Sequence, residues 1–103
     1  TMSEFNVAVY REGRTFRVEP GRLLVRHGDT VTFWSVDAGN VTAFLPPPLG
    51  HELVAVRPEG LTKRTRAFLV PELPPACYEY AVHVDEERVF AEGGSQPKII
   101  VLE

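Results

Sequence analysis

Short runs of β-branched and aromatic residues recur about every eight to twelve residues along this chain, each cut off by Gly, Pro, Asn or Asp. That rhythm admits strands of about five residues, and helical periodicity is nearly missing. Short strands bury their apolar faces only by pairing and stacking, so the pattern predicts an all-β sandwich or barrel. The 103 residues fit one domain spanning residues 1–103, with one core, since no linker or internal repeat divides them. An apolar fraction of 44% and a charged fraction of 24% are ordinary for a globular chain.

Phe5, Val7 and Val9 share one strand face, and Arg11-Glu12-Gly13-Arg14 turns the chain into Phe16 and Val18, which makes a hairpin. Pro20-Gly21 precedes a strand at Leu23, Leu24 and Val25, and His27-Gly28-Asp29 turns into the best strand of the sequence, residues 31–36. Asp37-Ala38-Gly39-Asn40 is a strong turn, because Gly and Asn tolerate positive φ. Val41 to Leu45 follow as a strand, and Pro46-Pro47-Pro48 ends it because proline has no ladder donor. Residues 53–56, 65–70, 77–84 and 98–102 are further expected strands, with a short apolar stretch at Val89-Phe90. A single helical turn is the competing reading for residues 61–66. Tyr78 follows a proline-rich corner, where a tyrosine hydroxyl commonly bonds back to nearby backbone.

The net charge of −3 and the dispersal of the basic residues speak against nucleic-acid binding. No run approaches the roughly 20 apolar residues of a membrane helix. Cys77 is the single cysteine, which excludes an internal disulfide and a cysteine-rich zinc cluster, and it is expected to be buried or half-buried as a small apolar residue. Thr1 reads as a cloning residue before a native start at Met2; no export signal follows, so a chain starting there is expected in the cytoplasm.

Three segments together resemble a cupredoxin: residues 23–33 with Gly28-Asp29-Thr30-Val31-Thr32-Phe33, then Ala76-Cys77-Tyr78-Glu79-Tyr80, and the closing Ile99-Ile100-Val101. The resemblance spans most of the chain and implies a Greek-key β-sandwich of about eight strands. It also implies a blue-copper site at one end, built from two His, one Cys and an axial Met. Carried over, the first histidine falls at Gly39 or Asn40 and the cysteine at Val82. The second histidine falls near residues 85–87 and the methionine beyond it, yet the single methionine is Met2. None of these positions holds the implied ligand, so neither copper nor any other cofactor is expected.

A rebuilt metal site would need His51, His83 or His27 to converge with Glu52, Asp85 or Glu86. His51, His83 and Asp85 are its best candidates, although no HxH or HxxxH spacing supports it. Ser95 with His83 and Asp85 supplies the residue types of acyl transfer but lacks a G-x-S-x-G elbow, so no enzyme is expected. Arg64 and Arg66 fall on one strand face beside Lys63 and Arg57, where they solvate a sheet or greet an acidic partner. The remaining candidate is a binding surface at the loop end, formed by Asn40, Phe44, Leu45, Pro47, Leu49, His51 and Phe90. It would serve a protein partner or a homodimer contact. The expectation is therefore a noncatalytic, copper-free interaction module, with a metal protein using His51 and His83 as the alternative.

Overall fold

The computed structural model describes residues 2–50, 52–54, 63–92 and 96–103, the side chains of residues 52–54 excepted. Strand β1 (Glu4–Glu12) and β2 (Thr15–Glu19) form the expected hairpin, with Glu12 opposite Thr15 and Gly13 at φ 62° in the turn. Alternation sends Val7, Val9, Phe16 and Val18 inward, all at most 3% exposed. After β3 (Arg22–Val25) the chain returns as β4 (Thr30–Ser35), which lies parallel to β1 from Glu4 opposite Thr30 to Val9 opposite Ser35. Two short strands, β7 (Lys63–Arg64) and β8 (Phe68–Leu69), pair antiparallel with β4 and complete the first layer.

Within the strand expected at residues 65–70 only Phe68–Leu69 pairs as a strand, and a second short pairing, Lys63–Arg64, lies just before it. Thr65 divides them: it is buried, its backbone N–H donates to the Phe33 carbonyl at 2.9 Å, and its hydroxyl accepts from the Phe33 N–H at 3.1 Å. A side chain that satisfies the ladder in place of backbone lets the strand bend there. Trp34 points outward from β4, its indole N–H donating to Asn6 Oδ1 at 2.8 Å and its face under the Arg64 guanidinium at 5.4 Å.

The remaining strands are β5 (Val41–Phe44), β6 (Glu52–Val54), β9 (Ala76–Glu79), β10 (Ala81–Val84), β11 (Val89–Phe90) and β12 (Lys98–Val101). The second layer holds them as the sheet β11-β10-β5-β6 and, with β3, the sheet β3-β12-β9. The expected strand at residues 77–84 divides at Tyr80, so that β9 pairs with β12 and β10 with β5. The described residues therefore form twelve strands where about eight were expected, because several are pairings of only two to four residues. Tyr78 behaves as its corner position implies, its hydroxyl donating to the Pro74 carbonyl at 3.3 Å. Cys77 does not: it is exposed, because its register partner Ile100 faces outward and Tyr78 takes the inward position. Arg64 and Arg66 are both exposed, as expected.

The two layers meet over Phe33, which has no exposed surface, stacks on Phe68 at 6.3 Å and meets the Tyr80 ring edge-on at 5.4 Å. A buried phenylalanine of this kind stabilises by about 1.5–3 kcal/mol. The Tyr80 hydroxyl is buried with it and has no hydrogen-bond partner among the described residues. Burial pushes this phenol's pKa up, with the Glu92 carboxylate adding to the effect. At the end where β4 begins, buried Asp29 accepts from the backbone N–H of Ser3 at 2.9 Å and of Arg26 at 2.8 Å. The Arg26 N–H is the main reason its carboxyl lies below the usual range.

Two predictions follow the burial of these groups. Asp29→Ala orphans two backbone donors and is expected to cost about 2 kcal/mol in urea denaturation at pH 7. A lowered carboxylate pKa adds stability above the unfolded value of about 4 and loses it as pH falls through the folded value, so wild type and variant converge in acid. Tyr80→Phe removes an unpaired hydroxyl and is expected to be neutral or stabilising by up to about 1 kcal/mol at pH 7. A raised phenol pKa leaves the folded state protonated while the unfolded state ionises above about pH 10, so wild type loses stability there and Tyr80→Phe loses less. Equal decline of both in alkaline urea melts would contradict the assignment.

Candidate functional site

Three turns meet at the end of the sandwich where β4 finishes. The Arg11 N–H donates to Asp37 Oδ1 at 2.6 Å, and the Arg11 guanidinium reaches Glu87 Oε1 at 2.7 Å. The Asp85 N–H donates to the Asn40 carbonyl at 2.8 Å, and Lys63 Nζ donates to Asn40 Oδ1. Glycine is favoured at Gly39 by its φ of 72°, and a Cβ there would also displace the Glu86 carboxylate, whose Oε1 would lie 2.8 Å away. Ser35 Oγ donates to the Gly39 carbonyl at 2.6 Å and closes the turn from below. Several of these partners are exposed, so each ion pair contributes little; together they fix which loops are neighbours.

Beneath this end the implied thiolate position is filled with aliphatic carbon. Val82 lies opposite Ala43 and Val84 opposite Val41, all four at most 1% exposed and facing the core. None carries a lone pair for a metal. Asn40 is exposed and engaged with Lys63, Asp85 and Glu86, and residues 85–88 form a tight turn between β10 and β11. Met2 packs over Gly28 at the end where β4 begins, and Cys77 faces out from the other sheet of its layer. His27 lies in the turn before β4, a strand length away from Asn40. The residues present therefore do not fit a blue-copper centre. Among the described residues no three His, Cys, Asp or Glu side chains converge to hold a metal ion.

His83 is on the opposite face of β10 from Val82, as the pleat requires. Its Nδ1 lies 2.6 Å from Asp85 Oδ1, and Thr42 Oγ1 donates to both Asp85 oxygens at 3.3 and 3.0 Å. His83 and Asp85, two of the residues a rebuilt metal site would need together, are thus neighbours, whereas His51 and Ser95 lie outside the described residues.

The outward face of this sheet carries two exposed phenylalanines. Phe44 pairs with Ala81, and His83 pairs with Phe90 and meets its ring edge-on at 5.0 Å. Phe44 is 41% and Phe90 54% exposed, with the small Ala81 between their strands. A shallow hollow of about 190 Å³ opens beside Ala81, lined by Phe90, Ala91, Gln96 and Pro97. Pro47 is exposed, Leu45 is half-buried against the core, and Leu49 leaves the expected surface altogether. Leu49 is 3% exposed, because the Leu49 and Gly50 N–H groups both donate to the Pro46 carbonyl and curl the proline loop so that the leucine enters the core.

Ala81 and Glu92 are the residues that sequence reasoning passed over. Ala81 matters through its smallness at an outward strand position, which alternation from Val82 would reveal. Glu92, at φ 64°, donates its N–H to the Phe16 carbonyl at 2.8 Å, while its carboxylate accepts from the Val18 N–H at 2.8 Å and from Arg17 Nε at 3.0 Å. No local signal marks that role, since its partners are about 75 residues earlier.

No family model matches the chain, and no curated protein matches it. Solved structures do. A pseudoazurin from Sinorhizobium is 22% identical with a TM-score of 0.60, over 99% of this chain and 76% of its own. A purple cupredoxin from Nitrosopumilus maritimus is 15% identical with a TM-score of 0.58, over 94% of this chain and 98% of its own. A copper-containing nitrite reductase from Thermus scotoductus is 18% identical with a TM-score of 0.59; it matches over 98% of this chain, which spans only 28% of the reductase. Likeness at such identities speaks of architecture, and on that evidence the chain has the cupredoxin fold.

Proposed function

We propose that the chain is a noncatalytic, copper-free binding module on a cupredoxin scaffold, and that its outward β11-β10-β5 face receives a protein partner. The observation that supports the first half is Val82, which stands where the resemblance implies the thiolate and is buried among Val84, Val41 and Ala43 with no side-chain donor atom. The second half rests on Phe44 and Phe90. Phe44 lies opposite Ala81 and Phe90 opposite His83, two residues further along β10, so with strands about 4.8 Å apart and about 3.3 Å per residue the two positions lie roughly 12 Å apart on a diagonal. The shallow trough between them is floored by Ala81 and flanked by His83, and aromatic residues are enriched where proteins meet.

One observation favours a second reading, metal binding by His83 with His51. The Asp85 carboxylate at His83 Nδ1 fixes the ring and leaves Nε2 as the ligating atom, which is how metal-bound histidines are commonly oriented. Dialysis against Cu(II) and Zn(II) followed by elemental analysis separates the readings. Far less than one metal per chain is expected, whereas one tightly held equivalent that disappears in His83→Ala would establish the second reading. The trough is tested with an environment-sensitive apolar dye. Phe90→Ser is expected to abolish most of its fluorescence while changing stability by less than about 1 kcal/mol. Full dye binding by that variant would reject the trough.

A further inference from the structure

The sheet β3-β12-β9 turns a second face to solvent, and its register orders that face in rows. Ile100 lies opposite Leu24 on one side and Cys77 on the other, and Lys98 lies opposite Arg22 and Glu79 in the same way. The alternate residues Leu23, Val25, Ile99 and Val101 are buried, so both rows point outward. Leu24 is 51% exposed, Cys77 and Glu79 are exposed, and Ile100 is half-buried. One row is therefore apolar across three strands, and the next runs from Arg22 on one edge to Glu79 on the other.

We propose that this face pairs with the same face of a second copy, about a twofold axis running along β12. Facing sheets pack with their strands nearly aligned, so the rows of one copy lie over rows of the other. An axis along β12 exchanges the two edges: Leu24 meets Cys77 of the second copy, Ile100 meets its own equivalent, and Arg22 meets Glu79. The other in-plane axis, across the strands, keeps each edge over itself and brings Arg22 toward Arg26 of the second copy, since Arg26 is the next outward position beyond Leu24. Like charges there oppose association, and opposite charges in the first arrangement favour it. Lys98 sits on the axis, but its ammonium turns to the Gln96 carbonyl at 3.1 Å and is drawn out of the row.

Three strands give a face smaller than the roughly 800 Å² per partner of a standard interface, so the association is weak. Sedimentation equilibrium of the full chain from about 10 μM to 1 mM is expected to show reversible dimers at the upper end. Glu79→Arg is expected to weaken the dimer about tenfold, and Arg22→Glu combined with Glu79→Arg to restore it. A short bismaleimide then reads the geometry, using a mixture of the native chain with Leu24→Cys, Cys77→Ser. Each chain carries one thiol, so no product can form within a chain. Covalent dimer is expected to form several-fold faster in the mixture than with either chain alone. A chain that stays monomeric throughout, a double charge swap that fails to restore association, or equal cross-linking of either chain alone would overturn the proposal.

Discussion

The pleat of β10 governs what the loop end of this molecule can do. Val82 and Val84 face the core and Ala81 and His83 face out, because successive side chains of a regular strand alternate between its faces. A slip of one residue would bury an imidazole and expose two valines, each worth about 1.5 kcal/mol or more when buried. The register is held from both sides, by β5 along four residue pairs and by β11 along two. With the inward positions committed to hydrocarbon, any chemistry on this strand is confined to its outer surface.

That outer surface is small but ordered. Thr42, Asp85 and His83 form one hydrogen-bonded chain, and Phe90 stands against the imidazole edge. The charged turns above it, from Arg11 through Glu87 to Asn40, hold the loops in place. The architecture is shared with cupredoxins at 15–22% identity, and fold and function are in general independent, so what this end does rests on its own residues.

Much of the framework was legible in the sequence because it rests on local signals. The hairpin at Gly13, the turn at residues 37–40 and the corner at Tyr78 each announce themselves through turn chemistry. The divisions at Thr65 and Tyr80 were not legible, since each depends on which distant strand supplies the ladder partner. Leu49 and Cys77 were misplaced for related reasons. A three-proline loop gives no alternation from which to infer direction, and the inward place at residues 77–79 belongs to Tyr78, a larger and more favourable residue to bury. At the candidate site, the positions Asn40 and Val82 came from the resemblance and the shared strand face of His83 and Asp85 from alternation, while the trough at Ala81 emerges only once three strands are placed side by side.

The position of Glu92 has a consequence for how such a molecule avoids clumping. β2 is the outermost strand of its sheet, and the rim of an outermost strand ordinarily offers free amides and carbonyls to any passing chain. Here a single residue occupies both the Phe16 carbonyl and the Val18 amide, the first with its own backbone and the second with its carboxylate. The rim is stoppered, and fibre-like growth by strand addition has no foothold along that stretch.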